Sequence, residues 1–178
     1  MALKPTIYKF RISLSDMNRE YYDSLSLTVA QHPSENTTRM MARVLAYCLN
    51  ADPDLAFTKG LSTIEEPDIW QKTPDNQVSC WIEVGEPDSE RVKKASRIAD
   101  KVSIYSFNRK GDIWWQQSKS KLDFNNVSLF QFSPDAIQQL STMVTRTSEL
   151  SVMISGNSLF VSTSSGECEV EVVTLKGM

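Results

Sequence analysis

Residues 6–14 alternate apolar and polar side chains, with Tyr8, Phe10, Ile12 and Leu14 on one face and Lys9, Arg11 and Ser13 on the other. That period of two predicts a half-buried strand. Beyond the turn-like Ser15-Asp16-Met17-Asn18, residues 21–30 place Tyr, Leu, Leu and Val at near-alternate positions, so a two-stranded antiparallel ribbon is expected. His32-Pro33 then punctuates the chain, and Ser34 stands as the N-cap of a helix running to about Asn50. Met40, Met41, Val44, Leu45, Tyr47, Cys48 and Leu49 cover most of that helix's circumference and leave a narrow strip for Glu35, Arg39 and Arg43, which predicts a buried helix. Residues 55–60 predict a short strand and 65–72 a turn or short helix begun by Pro67. Strands at 77–84, 101–107 and 127–132 then alternate with helices at 88–99, 112–119 and 134–143, the order of right-handed crossovers over a largely parallel sheet. The tail is different: residues 150–154, 159–162 and 167–175 alternate around Ser-Gly-Asn and Ser-Ser-Gly turns, as in an antiparallel meander.

Composition narrows the function classes. The 178 residues, 40% of them hydrophobic, suffice for one substantial core and are read as a single domain over 1–178. A net charge of -3 gives no global positive field, so contact with a polyanion has to be local or bridged by a divalent cation. No apolar run approaches the ~20 residues of a membrane span and no leader-like segment opens the chain. Cys48, Cys80 and Cys168 are odd in number and set among apolar neighbours, which reads as reduced core thiols of a cytoplasmic protein with no membrane partner.

The candidate chemistry centres on Glu83, a carboxylate inside Cys80-Trp81-Ile82-Glu83-Val84-Gly85. Such a group is costly to bury unless it meets a metal, a cation or a proton donor. Glu83 and Trp81 share one strand face near its carboxyl end, where ligands bind in open α/β sheets. The alternative is a carboxylate emerging into solvent or paired with a structural arginine. On the following helix, Val92, Ala95, Ile98 and Ala99 form the apolar arc; Arg91 falls inside it and Lys94 just beyond its edge, so either can lean towards Glu83. Lys94 can equally lay its stem on the apolar face with its head in water. Asp68 after Pro67 is by itself an ordinary opener of a turn or helix. Beside Glu83 and a lysine it becomes part of an oxygen-ligand set for a hard cation, the apparatus of phosphodiester hydrolysis. Glu35, Arg39 and Arg43 are spaced i, i+4, i+8, either a surface ladder or the polar lining of a cleft. A single histidine, His32, and the absence of Cys-x-x-Cys, Walker-type, Gly-x-Ser-x-Gly and Gly-x-Gly-x-x-Gly motifs argue against zinc, P-loop, serine-hydrolase and dinucleotide chemistry. Trp114-Trp115 could stack bases, with division between core and rim the plainer use.

Several of these residues sit in longer motifs: His32-Pro33-Ser34-Glu35, Arg39-Met40-Met41-x-Arg43, Glu66-Pro67-Asp68-x-Trp70, Trp81-Ile82-Glu83-Val84-Gly85-x-Pro87-Asp88, Arg91-x-x-Lys94-Ala95 and Ile113-Trp114-Trp115. Together they resemble the bacterial YaeQ family over nearly the whole chain. That family is similar to a variant of the PD-(D/E)XK nuclease superfamily. The resemblance implies a mixed β-sheet flanked by helices, a restriction-endonuclease-like core with extra N- and C-terminal antiparallel strands, and a Mg²⁺ site. It implies Asp68 and Glu83 as metal-binding acids and Glu35 as the acid of the first core helix; Arg91 or Arg39 is expected, on our own reading, to contact phosphate. The superfamily's lysine normally lies two residues after the second acid, where this chain has Gly85; Lys94 is its substitute. The expectation is a metal-dependent nuclease-like domain acting on DNA or RNA. Its alternative is a non-catalytic module of the same fold that binds nucleic acid or a protein, for example in transcription. A structural protein with a buried ion-pair network is the third class.

Overall fold

The computed structural model describes residues 4–59, 61, 63 and 65–178. In chain order the elements are β1 (Thr6–Asp16), β2 (Tyr21–Gln31), α1 (Thr37–Leu49), β3 (Leu55–Phe57), β4 (Ile69–Lys72), β5 (Val78–Val84), α2 (Ser89–Ile98) and β6 (Lys101–Ser106). There follow α3 (Gly111–Ser118), a 3₁₀ turn at Lys119–Lys121, β7 (Val127–Phe132), α4 (Pro134–Ser141), β8 (Thr147–Ser155), β9 (Ser158–Thr163) and β10 (Gly166–Lys176). The fold is mixed α/β and resolves into two compact units, each made of discontinuous stretches. No described helix is long and apolar enough to cross a membrane.

The first unit takes the chain to Leu49 and resumes from Phe132 to Val172. Its strands lie in the order β2-β1-β8-β9-β10. The expected ribbon is present, with β1 and β2 antiparallel from Thr6 opposite Gln31 to Asp16 opposite Tyr21. β8 joins β1 in parallel, and β8, β9 and β10 form the expected antiparallel meander. Period-two burial sends Phe10, Ile12 and Leu14 inward with Leu150, Val152 and Ile154, and α1 adds Met40, Met41, Val44 and Leu45, all fully buried. The β1–β2 turn is tied by Asp16, whose carboxylate accepts from the backbone of Asn18 and Arg19 and from Arg19 Nε at 2.7 Å.

The second unit comprises Asn50–Gln131 and Val173–Met178. β5, β6 and β7 are parallel through α2 and α3, as the strand–helix alternation predicts, while β3 and β4 extend the sheet antiparallel from β5. Trp81, Val92, Ala95, Val102, Ile104 and Leu129 form its core, which places α2 against the face of β5 that carries Trp81. Asn126 donates to the carbonyls of Ser96 and Ala99, closing the end of α2. Lys176 Nζ donates to Phe124 and Val127 carbonyls at 2.9 and 2.8 Å and fixes the C-terminal residues to this unit.

Four local expectations are corrected. The first helix begins at Thr37, not after Ser34, because Asn36 Oδ1 accepts from Arg39 N at 2.8 Å while Ser34 Oγ turns to His32. Pro67 opens no helix: Ile69–Lys72 pairs with β5 as a strand, its backbone donors and acceptors satisfied by the ladder. Ile98, expected on the apolar arc of α2, is 55% exposed at the helix end. The short strand stops at Phe57, and Gly60, its expected end, lies outside the described residues. Replacement of the true cap, Asn36→Ala, should lower unfolding free energy by about 1 kcal/mol, and Ser34→Ala by clearly less, in urea denaturation followed by circular dichroism.

Candidate functional site

Glu83 lies in β5, where Trp81, Ile82 and Val84 on both faces are buried and its own side chain is only 8% exposed. Two donors converge on its Oε1: Trp81 Nε1 at 3.0 Å and Arg91 Nε at 2.6 Å. The tryptophan is reached because residues two apart on a strand share a face. The arginine is delivered by the start of α2, where Asp88 caps the helix by accepting from Arg91 N at 2.8 Å. Arg91 Nη2 donates onward to the Glu66 carbonyl at 2.8 Å, so the guanidinium is held at both ends. Of the two cations that the helix wheel offered to Glu83, the structure gives it Arg91. Lys94 is exposed one turn further on, and among the described residues no hydrogen bond or ion pair reaches it.

Asp68 directly precedes β4 and is 5% exposed. Its backbone N–H donates to the Ile82 carbonyl at 3.1 Å and its Oδ2 accepts from Val84 N at 2.8 Å. Because Ile69 pairs with Ile82, the same antiparallel register sets Asp68 across from Glu83. The two charges act on each other. Burial pushes the Glu83 carboxyl above the usual carboxylate range, Arg91 and the Trp81 hydrogen bond pull it back, and Asp68 raises it again.

Gly85 follows with φ of +121°, a conformation that L side chains rarely adopt, and its N–H donates to the Tyr105 carbonyl at 2.8 Å. A lysine two residues after Glu83 would be strained there. The backbone that closes β5 onto β6 thus disfavours a side chain at position 85.

Glu35 and Arg39 belong to the first unit, and their partner there is Arg43. The Glu35 side chain, fully buried, accepts from Arg39 Nη1 at 2.6 Å, from Arg43 Nε at 2.9 Å and from Arg43 Nη2 at 2.5 Å. Arg43 Nη2 also donates to the Ala30 carbonyl, and Gln31 Nε2 to the Glu35 carbonyl. The i, i+4, i+8 row is therefore a buried clamp between β2 and α1, not a surface ladder, and Glu35 precedes the helix instead of standing in its first turn. The row was visible in the sequence; its depth was not. The carbonyl of Glu66 and the amide of Val84, which fix Arg91 and Asp68, are backbone groups with no sequence signature.

Asp68 and Glu83 suit a hard divalent cation in chemistry: two buried carboxylates close enough for Asp68 to raise the Glu83 carboxyl. Among the described residues no third acid, histidine or cysteine completes a ligand group. Magnesium commonly uses one or two carboxylates and takes its remaining oxygens from water and substrate phosphate. The cysteines are free, as expected, and burial pushes the Cys48 thiol up to about 12, so it is unreactive near neutral pH.

A mixed α/β fold carrying a buried acid–guanidinium centre at the carboxyl end of a parallel strand defines the class of protein. The chain belongs to the YaeQ protein family, whose model matches residues 1–172. Relatives named "Uncharacterized protein YaeQ" from Salmonella typhi and Escherichia coli K12 are each 38% identical over 174 residues, covering 97% of this chain and 96% of theirs. The crystal structure of the YaeQ protein from Xanthomonas axonopodis pv. citri superposes with a TM-score of 0.95 at 29% identity, over 98% of this chain and 99% of that one. That of the Pseudomonas syringae YaeQ protein gives 0.93 at 35% identity, over 98% and 97%.

Two predictions separate the centres. Glu35→Gln leaves Arg43 buried without its counter-charge and should cost about 3–5 kcal/mol of stability, whereas Lys94→Ala should stay within about 0.5 kcal/mol, both read from urea unfolding. The Glu83 carboxyl is raised in the folded state, so its protonated form favours folding. Its contribution is full below the unfolded carboxylate range and is lost as pH rises through the higher folded value. Wild type should therefore gain stability relative to Glu83→Gln as pH falls from neutral through that window, and a pH-independent difference would contradict the shift.

Proposed function

We propose that this protein is a nuclease-like phosphodiesterase domain of the PD-(D/E)XK type, acting on DNA or RNA with Mg²⁺ at Asp68 and Glu83. The observation that carries the reading is the pair of buried carboxylates, Asp68 just before β4 and Glu83 on β5, near enough for the one to raise the other, at the strand end where α/β sheets bind ligands. A divalent cation bound there would polarise a phosphoryl oxygen and acidify a coordinated water. The chain's own residues do the positioning. Trp81 and Arg91 hold the Glu83 carboxylate in one orientation, and the Val84 amide does the same for Asp68. Lys94, exposed on the helix that carries Arg91, takes the role of the superfamily's strand-borne lysine, orienting water or meeting the phosphate, since the backbone at position 85 disfavours a side chain there. Both arginines are engaged by a carboxylate, and Arg91, with 31% of its side chain exposed against 17% for Arg39, is the better phosphate contact of the two.

The second reading is a non-catalytic module of the same fold that binds nucleic acid or a protein. It draws on one observation: the Glu83 carboxylate already has a guanidinium at 2.6 Å. Cleavage of labelled single- and double-stranded DNA and RNA with Mg²⁺ or Mn²⁺ decides between them. The enzyme reading expects metal-dependent cleavage that falls at least about a hundredfold in Glu83→Gln and in Lys94→Ala. Metal-dependent binding without cleavage would support the module instead, and equal cleavage by wild type and Glu83→Gln would remove the site from the reaction.

A further inference from the structure

The outward face of the five-stranded sheet in the first unit sorts its charges across the strands. β1 presents Lys9 and Arg11, and β10 presents Glu167, Glu169 and Glu171, all exposed. Between these margins the register aligns side chains into rows that cross the sheet. One runs Tyr22, Ser15, Met153, Phe160, Glu169, and the row beside it is four serines ending in Glu167. Met153 and Phe160 are 42% and 39% exposed on adjacent strands at the middle of the face. The only charge in the middle is Glu149, 4.0 Å from Arg11, with both side chains more than 80% exposed.

We propose that this face joins two copies of the chain. A two-fold axis running along the strands between β8 and β9 lays the second copy's β1 across β10. Arg11 of each copy then reaches towards Glu167 of the other, and Met153 and Phe160 of one copy meet Phe160 and Met153 of the other across the axis. Such a contact is self-complementary, as an isologous dimer requires. Arg11 lies one pleat repeat, about 7 Å, from the row of Glu167, a gap its long side chain spans. The four strands that overlap about this axis, β1, β8, β9 and β10, about 4.8 Å apart and about nine residues long, present about 600 Å² per copy, at the lower end of the standard interface range. A centre with methionine and an aromatic ring, and charge kept to the margins, is the composition of an interface core and rim.

A small ligand is the poorer occupant. The depression on this face, about 530 Å³, is lined by Arg11, Glu149 and serine hydroxyls with no buried polar side chain among them. In the dimer it is a strip of bridging water.

The test is sedimentation equilibrium of the full chain with a charge swap. Wild type is expected as a dimer that weakens as NaCl is raised. Arg11→Glu and Glu167→Lys should each raise its dissociation constant about tenfold or more, and the double variant should return to within about threefold of wild type. Phe160→Glu, at an exposed position, should give monomer with an unchanged circular dichroism spectrum. A wild type that is monomeric at about 100 µM overturns the proposal. So does a dimer indifferent to Arg11→Glu and Phe160→Glu, or a double variant that stays as weak as the single ones.

Discussion

Burying one carboxylate in a strand sets the terms for the second unit. Glu83 is enclosed on β5, and a charge in that position needs a counter-charge and donors of fixed geometry. Arg91 meets the need only if α2 begins where it does. The Asp88 cap fixes that beginning, and the Gly85 backbone turn fixes the approach from the strand. The apolar face of α2, with Val92 and Ala95, then seats against Trp81, whose indole N–H bonds the same carboxylate. Helix rotation, loop conformation and core packing are thus consistent with one ion pair.

The two acid–arginine centres show how the same chemistry serves different ends. At Glu35 two guanidiniums surround one carboxylate, and neither Glu35 nor Arg43 retains exposure worth noting, with side chains at 0% and 5%. Every oxygen there has a donor, and a closed network of that kind rigidifies the junction of β2 and α1. Glu83 pairs with a guanidinium that is 31% exposed, and burial and Asp68 push the acid up towards its neutral form while Arg91 and the Trp81 hydrogen bond pull it back.

Much of the fold was legible because the elements repeat a period. The ribbon of β1 and β2, the parallel strands β5 to β7 and the meander of β8 to β10 all follow from alternation and from the turns between them. The misses share a cause. Ser34 and Asn36 are both good caps, and only the hydrogen bond to Arg39 N chooses between them. Pro67-Asp68 reads as the opening of a turn or a short helix in isolation, and pairing of the next four residues with β5 rules out the helix. Ile98 fits the apolar arc by angle, yet it is the last residue of the helix and is 55% exposed, while Ala99 beyond it is buried.

The candidate site divides along the same line. The residue types, their order, and the likeness to a family with acids in these motifs were all present in the chain, because capping, strand alternation and helix rotation are local rules that sequence alone obeys. Those rules brought Glu83, Trp81 and Arg91 within reach of one another and left Arg91 and Lys94 as rivals. The tertiary structure settled the rivalry in favour of Arg91, since that choice depends on where α2 lands on the sheet and on the Glu66 carbonyl, a backbone group that no residue name reveals. It also decided that the Glu35 row is buried. Depth is a property of everything packed around a side chain, and a sequence read locally contains no measure of it.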